Sequence, residues 1–251
     1  YEEEYDKYGK NFNLLLNNDY NILNKKDEKY FDRQFKKVIP TKNEKNNEIY
    51  KHASFYNNFK DDPFAISSFY KFLVCFELLK EVKKIKGDVV EFGVWNGNNL
   101  FVLKKILDFL GIKKKIIGYD HFKGMPIADN NNYFKGDKKF ISYISNFYKL
   151  SNIKIIDDDI LNIKFHKKSF SKLSFIYIDC DLYKTTNIIL NELSKKLSTG
   201  GIIVFDEGNI NKKSGESKAL NEFFSKNKKK YKKIIMKKFY QPDVFLKKIK
   251  K

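Results

Sequence analysis

Apolar and polar positions along residues 63–251 follow a pattern that predicts short strands separated by helices. Brief apolar runs bounded by glycine or charged residues are typical of buried strands, and apolar residues at every third or fourth position are typical of helices. The predicted strands are residues 88–92, 115–119, 153–156, 175–178 and 201–205. The predicted helices run from residue 63 to near 86, then over 98–110, 140–148, 185–197 and 216–225.

The order of these elements predicts the class of fold. Strands that alternate with helices form parallel β-α-β units, and such units build a doubly wound α/β sheet. Two more segments, 231–238 and 243–248, predict an antiparallel hairpin at the end of the sheet. Residues 1–62 show weak periodicity and are expected to form a helical or irregular extension before a Rossmann-like domain over 63–251. Sheets of this kind bind ligands at the carboxyl ends of their strands.

Composition narrows the class of protein. Hydrophobic residues make up 42% of the 251 residues and charged residues 32%, which is typical of a globular protein. The apolar runs are far shorter than the ~20 residues of a membrane span. The chain opens on three glutamates after Tyr1 and shows no leader, so we expect a cytoplasmic protein. Cys75 and Cys180 have no metal-ligand or redox spacing and are expected to be reduced.

The net charge of +19 raises the possibility of a nucleic-acid partner. Lysine is spread along the whole chain together with asparagine and isoleucine, however, which indicates a global compositional bias. Only residues 226–233 and 247–251 are basic clusters, and clusters of this kind are usually solvated. A nucleic-acid methyltransferase or an RNA-binding protein is therefore kept as the alternative to the function that the candidate site residues indicate.

A glycine-containing turn follows the first predicted strand, in the run Glu91-Phe92-Gly93-Val94-Trp95-Asn96-Gly97. Glycine lets the backbone turn tightly and approach a ligand where a side chain would clash. Trp95 breaks the pattern of nicotinamide-binding proteins. The alternative is a tight turn that needs two glycines for structure alone.

Acidic residues follow the second and third strands. Asp120 can accept hydrogen bonds from both ribose hydroxyls of an adenosyl group, or it can cap the next loop. In the run of aspartates from 157 to 159, Asp159 or its backbone is placed to contact an adenine amino group, whereas Asp157 is expected in a solvated turn.

Carboxylates also follow the fourth and fifth strands, at Asp179 and at Asp206-Glu207. Clustered carboxylates repel unless a cation compensates them, and Mg²⁺ and similar hard cations prefer carboxylate oxygens. We therefore expect a divalent metal held by Asp179, Asp206 and Glu207, which would lower the pKa of a bound hydroxyl and position it. Two separate helix caps are the alternative. Asp179 is the expected base, with His121 as a second candidate that is otherwise a loop histidine.

Five motifs taken in order resemble the macrocin O-methyltransferase family. They are residues 87–97, 119–126, 179–186, 200–201 and 206–207. The resemblance implies a Rossmann-like class I methyltransferase fold with a mostly parallel seven-stranded sheet. It also implies S-adenosylmethionine (SAM) and Mg²⁺ as cofactors, a sugar or small-molecule hydroxyl as acceptor, and a homo-oligomer in which residues 1–62 form a lid or subunit contacts.

The expected catalytic residues are Asp179 and His121. The expected cofactor-binding residues are Glu91, Phe92, Gly93, Trp95, Gly97, Asn98, Asp120, His121, Asp158, Asp159 and Asp179. Two of the expected residues depart from the family pattern: Glu207 replaces a second aspartate, and His121 replaces a small serine or threonine.

Overall fold

The structure, a computed structural model, describes residues 63–124, 134–209, 215–236 and 241–250. Contacts divide the chain into two units, residues 1–70 and 71–251. The lid or oligomerisation segment expected over residues 1–62 lies outside the described residues and stays a prediction.

Strands and helices alternate as the sequence pattern predicts. The strands are β1 Asp88–Phe92, β2 Ile116–Asp120, β3 Ile153–Asp157, β4 Leu173–Ile178, β5 Leu197–Phe205, β6 Tyr231–Ile235 and β7 Val244–Lys248. The α-helices are α1 Pro63–Glu81, α2 Asn98–Phe109, α3 Lys138–Phe147, α4 Tyr183–Leu193 and α5 Gly215–Asn227. A 3₁₀ helix over Ile160–Ser169 lies between β3 and β4.

The strands form one seven-stranded sheet in the order β3-β2-β1-β4-β5-β7-β6. Strands β1 to β5 pair in parallel, and β7 pairs antiparallel with both β5 and β6. The predicted doubly wound sheet with a terminal hairpin is confirmed. Because β1 to β5 run in one direction, the acids at the carboxyl ends of β1, β2, β4 and β5 lie at the same edge.

The core fills both faces of the sheet, since alternate side chains of a strand point to opposite faces. Val90 and Phe92 of β1 belong to a cluster that includes apolar residues of α4, α5 and the 3₁₀ helix. Val89 belongs to a second cluster that includes residues of α1, α2 and α3. The central strand β4 is buried along its whole length, as expected for a parallel strand covered on both faces.

Three boundaries differ from the predictions by four residues or more. Helix α1 ends at Glu81 rather than near residue 86, and α4 ends at Leu193 rather than at 197. Strand β5 begins at Leu197, because Leu197 pairs with Leu173 of β4 before the register between the two strands shifts. Residues 194–197 are therefore turn and the start of a strand, where the sequence pattern predicts the last turn of a helix.

The basic tail is only partly solvated. Lys248 is buried, and its ammonium donates to the carbonyl oxygens of Ser194 at 3.0 Å and Leu197 at 2.8 Å. The prediction of a solvated tail is wrong at this residue, because Lys248 is part of β7 and satisfies carbonyls at the end of α4 and the start of β5.

The remaining fold-level predictions concern thiols and membranes. Cys75 and Cys180 are both free, with Cys75 buried and Cys180 partly buried. Across the described ranges, no helix has both the length and the apolar character required to cross a bilayer.

Candidate active site

The glycine turn after β1 lies directly on the backbone that follows β4. Gly93 has a φ of 84°, and a Cβ built on it would overlap the carbonyl oxygen of Asp179. The amide of Gly93 donates to the carbonyl of Tyr119, and the amide of Asp179 donates to the carbonyl of Phe92. The turn therefore extends the pairing of β1 with both neighbours, and only glycine fits at position 93.

The start of α2 is shaped by the second glycine. Gly97 precedes the helix with a φ of 88° and a Cβ there would contact the ring of Phe101 at 2.9 Å. Trp95 also has a positive φ, of 50°. The helix amino terminus is thus presented beside the turn, and such termini favour negatively charged groups.

Glu91 is buried under this turn, with 1% of its surface exposed. Its Oε1 accepts a hydrogen bond from the Asn99 side-chain amide at 2.8 Å. Among the described residues, Glu91 Oε2 and Asn99 Oδ1 are buried without a hydrogen-bond partner. Burial raises the pKa of Glu91 to about 8. Two unsatisfied buried acceptors beside a glycine turn fit the ammonium group of a methionyl ligand.

Asp120 ties the turn to the end of β2. Its Oδ2 accepts from the backbone amide of Trp95 at 2.8 Å, and its Oδ1 accepts from the amide of Phe122 at 2.8 Å. The loop-capping role that the sequence left open is present in the structure. Each carboxylate oxygen has a second lone pair, so the ribose role stays available.

The residues after β3 are organised by the 3₁₀ helix, which the sequence did not predict. Asp158 Oδ2 lies 2.7 Å from His166 Nε2, and Asp158 Oδ1 accepts from Asn162 at 2.9 Å. The hydrogen bonds from Asn162 and His166 lower the pKa of Asp158 to about 2. Asp158 therefore orders this helix.

The neighbouring Asp159 caps the same helix. Its side chain accepts from the amide of Leu161 at 2.9 Å, while its carbonyl accepts from the Tyr119 hydroxyl at 3.0 Å. His121 lies on the surface side of the β2 end, where its Nδ1 accepts from the amide of Lys123 at 3.1 Å.

The acids after β4 and β5 meet at one lysine. The ammonium of Lys71, on α1, lies 2.8 Å from Asp206 Oδ1 and 3.6 Å from Asp179 Oδ2. The Tyr177 hydroxyl donates a short hydrogen bond to the same Asp206 oxygen. Sequence analysis identified both acids and missed Lys71 and Tyr177, because neither belongs to a motif.

Further acids surround this group. Glu207 Oε1 accepts from the Gln241 side chain at 2.9 Å, and the Glu207 amide donates to Glu216 Oε1 at 3.0 Å. The amide of Glu216 donates to the carbonyl of Asp181 at 3.2 Å. Glu216 is fully buried at the start of α5. Its role was not apparent from sequence.

Burial and mutual repulsion dominate the electrostatics of this edge. Burial, followed by the charge of Asp206, raises the pKa of Asp179 well above its usual range, and Lys71 opposes the shift. Burial also raises the pKa of Asp181 to about 6 and that of Glu207 to about 7. The pKa of Glu216 is raised well above its usual value for the same reasons. The Asp179 carboxylate is therefore a stronger base than an aspartate exposed to water.

The predicted metal ligands do not converge on one point. Carboxylates are the donors that a hard cation prefers, but Asp179 and Asp206 share the ammonium of Lys71 and Glu207 is bonded to Gln241. In the part of the chain that the structure describes, no three or more His, Cys, Asp or Glu side chains are grouped as a metal site. As placed, these residues do not fit a divalent ion.

A sheet in this strand order, with a last strand β7 antiparallel to both of its neighbours and a glycine turn after β1, defines the class I methyltransferase fold. The chain belongs to the macrocin O-methyltransferase family, TylF, whose model matches residues 71–237. The resemblance noted from five motifs and the predicted fold are both confirmed.

Individual proteins of similar sequence are also O-methyltransferases by name. Demethyldecarbamoylnovobiocin O-methyltransferase of Streptomyces niveus is 25% identical over 140 residues, which cover 49% of this chain and 53% of that enzyme. The chain thus spans about half the length of the curated relatives it matches.

Solved structures share the fold at lower identity. The O-methyltransferase NovP superposes with a TM-score of 0.60 at 19% identity, over 74% of this chain and 81% of NovP. The calicheamicin methyltransferase CalS11 superposes with a TM-score of 0.58 at 16% identity, over 84% of this chain and 94% of CalS11.

Proposed function

We propose that the chain is a SAM-dependent O-methyltransferase that acts on a hydroxyl of a sugar or of a glycosylated small molecule. The observation that carries this proposal is the contact of Gly93 with the Asp179 backbone. This contact supports the assignment of the cofactor turn to the residues after β1 and of the base to Asp179, because the two backbones meet at the carboxyl edge of the sheet. A methyl donor and a proton acceptor are needed at the same point for O-methylation.

The cofactor side of the reaction is assigned to β1, β2 and their turns. Glu91, with its unpartnered buried oxygen, is the acceptor for the methionyl ammonium. Gly93 and Gly97 leave room for the backbone to approach the ligand. Asp120 is the ribose-binding acid. When bound, SAM supplies a methyl group on a positively charged sulfur.

The acceptor side is assigned to Asp179. Bound SAM would supply the methyl group, and the Asp179 carboxylate would take the proton that the acceptor hydroxyl gives up as its oxygen gains the methyl. The positive charge lost from the sulfur would be balanced by the negative charge lost from the acid, so charge and atoms balance. A carboxylate whose pKa is raised by burial and by Asp206 is a stronger base than a free aspartate.

The sugar-like acceptor follows from family membership and from what the relatives act on. By its name, the Streptomyces niveus enzyme is an O-methyltransferase of demethyldecarbamoylnovobiocin. CalS11 is described as a TDP-rhamnose 3'-O-methyltransferase. The nucleic-acid alternative is not favoured, because it rests on the net charge and the lysines that give this charge are spread along the whole chain.

Some parts of the expectation stay predictions. They are a cytoplasmic location, a homo-oligomeric state and a catalytic role for His121. The expected requirement for Mg²⁺, with Asp179, Asp206 and Glu207 as ligands, is not part of the proposal, because these residues as placed do not fit a divalent ion.

Calorimetry with SAM, followed by a transfer assay, tests the proposal. Heat of binding is expected for SAM and for its demethylated product. Mass spectrometry should then show one added methyl on a nucleotide-linked or glycoside-bound deoxysugar and none on total RNA. No binding at millimolar SAM, or methylation of RNA alone, would refute the proposed activity.

A further inference from the structure

Lys71 occupies the position where the sequence predicts a metal ion. Its ammonium lies within 4 Å of one oxygen of Asp206 and one of Asp179, at 2.8 and 3.6 Å. The Lys71 side chain is 22% exposed and that of Asp206 only 4%. The pair with Asp206 is therefore largely withdrawn from water, where a charge needs a partner of opposite sign.

The groups that surround the ammonium are ones that stabilise a cation. It lies 5.4 Å from the centroid of the Tyr177 ring, within the range of a cation–π contact. The hydroxyl of the same tyrosine donates to Asp206, so Tyr177 contacts both members of the ion pair. Two carboxylates and the face of an aromatic ring thus surround the ammonium, and such neighbours favour the charged form of a lysine.

We propose that Lys71 is the positioning residue of the catalytic acids, and that its ammonium, instead of a divalent ion, bridges Asp179 and Asp206. This proposal rests on the proposed methyl transfer for its kinetic part only. By attracting one oxygen of Asp179, Lys71 fixes the carboxylate and leaves the other oxygen for the acceptor proton.

A second consequence is competition for the same oxygens. A divalent ion coordinated by Asp179 and Asp206 would meet the positive charge of Lys71 within the same few ångströms. Removal of that charge should therefore open the acid pair to a metal. A lysine that serves the fold alone would not have this effect.

Three full-length variants separate these possibilities. Lys71→Met removes the charge and keeps most of the aliphatic length, and Lys71→Arg keeps the charge. Lys104→Met is the matched control, because Lys104 is also a buried helical lysine paired with an aspartate, Asp108, on α2. Free Mn²⁺ is measured by electron paramagnetic resonance as the ion is titrated into each protein.

We expect Lys71→Met to bind Mn²⁺ at least about tenfold more tightly than the wild type. Lys104→Met and Lys71→Arg should match the wild type. A wild-type protein that binds one Mn²⁺ as tightly as Lys71→Met would overturn the proposal. The Mn²⁺ titration needs no methyl transfer. Its result therefore tests the role of Lys71 even if calorimetry shows that SAM does not bind.

Kinetics gives the second readout. After treatment with a chelator, wild-type kcat should be unchanged, and kcat of Lys71→Met should be lower by about 10²-fold with KM for SAM near the wild-type value. Added Mg²⁺ should restore part of that loss. Chelation that abolishes wild-type activity until Mg²⁺ returns, or full kcat in Lys71→Met, would contradict the assignment. If Lys71→Met does not fold, Mn²⁺ binding to the wild type and Lys71→Arg still decides the matter.

Discussion

The α-carbon of Gly93 packs against the carbonyl oxygen of Asp179, so closely that no side chain fits between them. The first residue follows β1 and the second follows β4, and the two strands are neighbours in the sheet. This contact joins the proposed cofactor turn to the proposed base. A change at either residue should therefore affect the other.

Gly93→Ala is expected to destabilise the protein and abolish SAM binding. The new Cβ would overlap the Asp179 carbonyl and would also impose a side chain on a φ of 84°. Overpacking and backbone strain together should cost about 3 kcal/mol. Urea unfolding and calorimetry measure the two effects.

Gly111→Ala is the control for this variant. Gly111 also has a positive φ, of 63°, but a Cβ there would meet nothing within 4 Å. It should lose only about 1 kcal/mol and should bind SAM normally. Equal behaviour of the two variants would show that the contact with Asp179 is unimportant.

Asp179→Asn is expected to lower kcat by about 10²- to 10⁴-fold, because the amide keeps the shape of the side chain and cannot accept the proton. Asp157→Asn serves as the control, since Asp157 also ends a strand but is exposed and pairs with Lys138 at 3.2 Å. Transfer rates at saturating SAM decide the question. Undiminished turnover in Asp179→Asn would remove the residue from the mechanism.

Stability should depend on the protonation of Glu91. Burial raises its pKa from 4.5 to about 8 in the folded chain, so the folded state holds a proton that the unfolded state releases. The stability linked to this group is fully present below about pH 4.5 and is lost as the pH rises through about 8.

Unfolding experiments across that pH window test the role of Glu91. Glu91→Gln should flatten the fall in the free energy of unfolding. Glu77→Gln, a change at an exposed glutamate of α1, should keep the wild-type slope. A slope that survives in Glu91→Gln would assign it to other acids of the cluster.

Tyr177→Phe should destabilise the protein more than Tyr231→Phe. The Tyr177 hydroxyl donates to the buried carboxylate of Asp206, whereas the Tyr231 hydroxyl donates to the neutral carbonyl of Ser194 at 3.2 Å. Both rings are buried. Loss of a hydrogen bond to a charged group costs about 1.5–3 kcal/mol, against about 1 for a neutral pair. Denaturant titration of both variants should show this order, and the reverse order would argue against a strong hydrogen bond between Tyr177 and Asp206.

Strands and the order of motifs were predictable because their signals are local. An apolar run such as 173–178 reports burial on both faces, and the glycines at 93 and 97 report a turn that other residues cannot make. The 3₁₀ helix over Ile160–Ser169 was missed because it mixes lysines with apolar residues and has no helical period.

The counter-ion of the acids could not be predicted in the same way. Lys71 belongs to an ordinary amphipathic helix in sequence, and only the packing of α1 on the sheet brings its ammonium to Asp206. Composition did not distinguish Lys71 either, since it is one of 50 lysine and arginine residues in the chain. The sequence did predict that a cation compensates these carboxylates, but which cation does so depends on tertiary contacts.

The crowding of acids at one edge of the sheet gives a strongly basic chain a local region of opposite sign. The proposed donor arrives with a net positive charge, while its spent form is neutral, and the transferred proton discharges Asp179 at the same moment. The electrostatic attraction that gathers the donor is therefore switched off by the reaction itself. An enzyme arranged in this way would bind the methyl donor more tightly before the transfer than it binds the demethylated product afterwards.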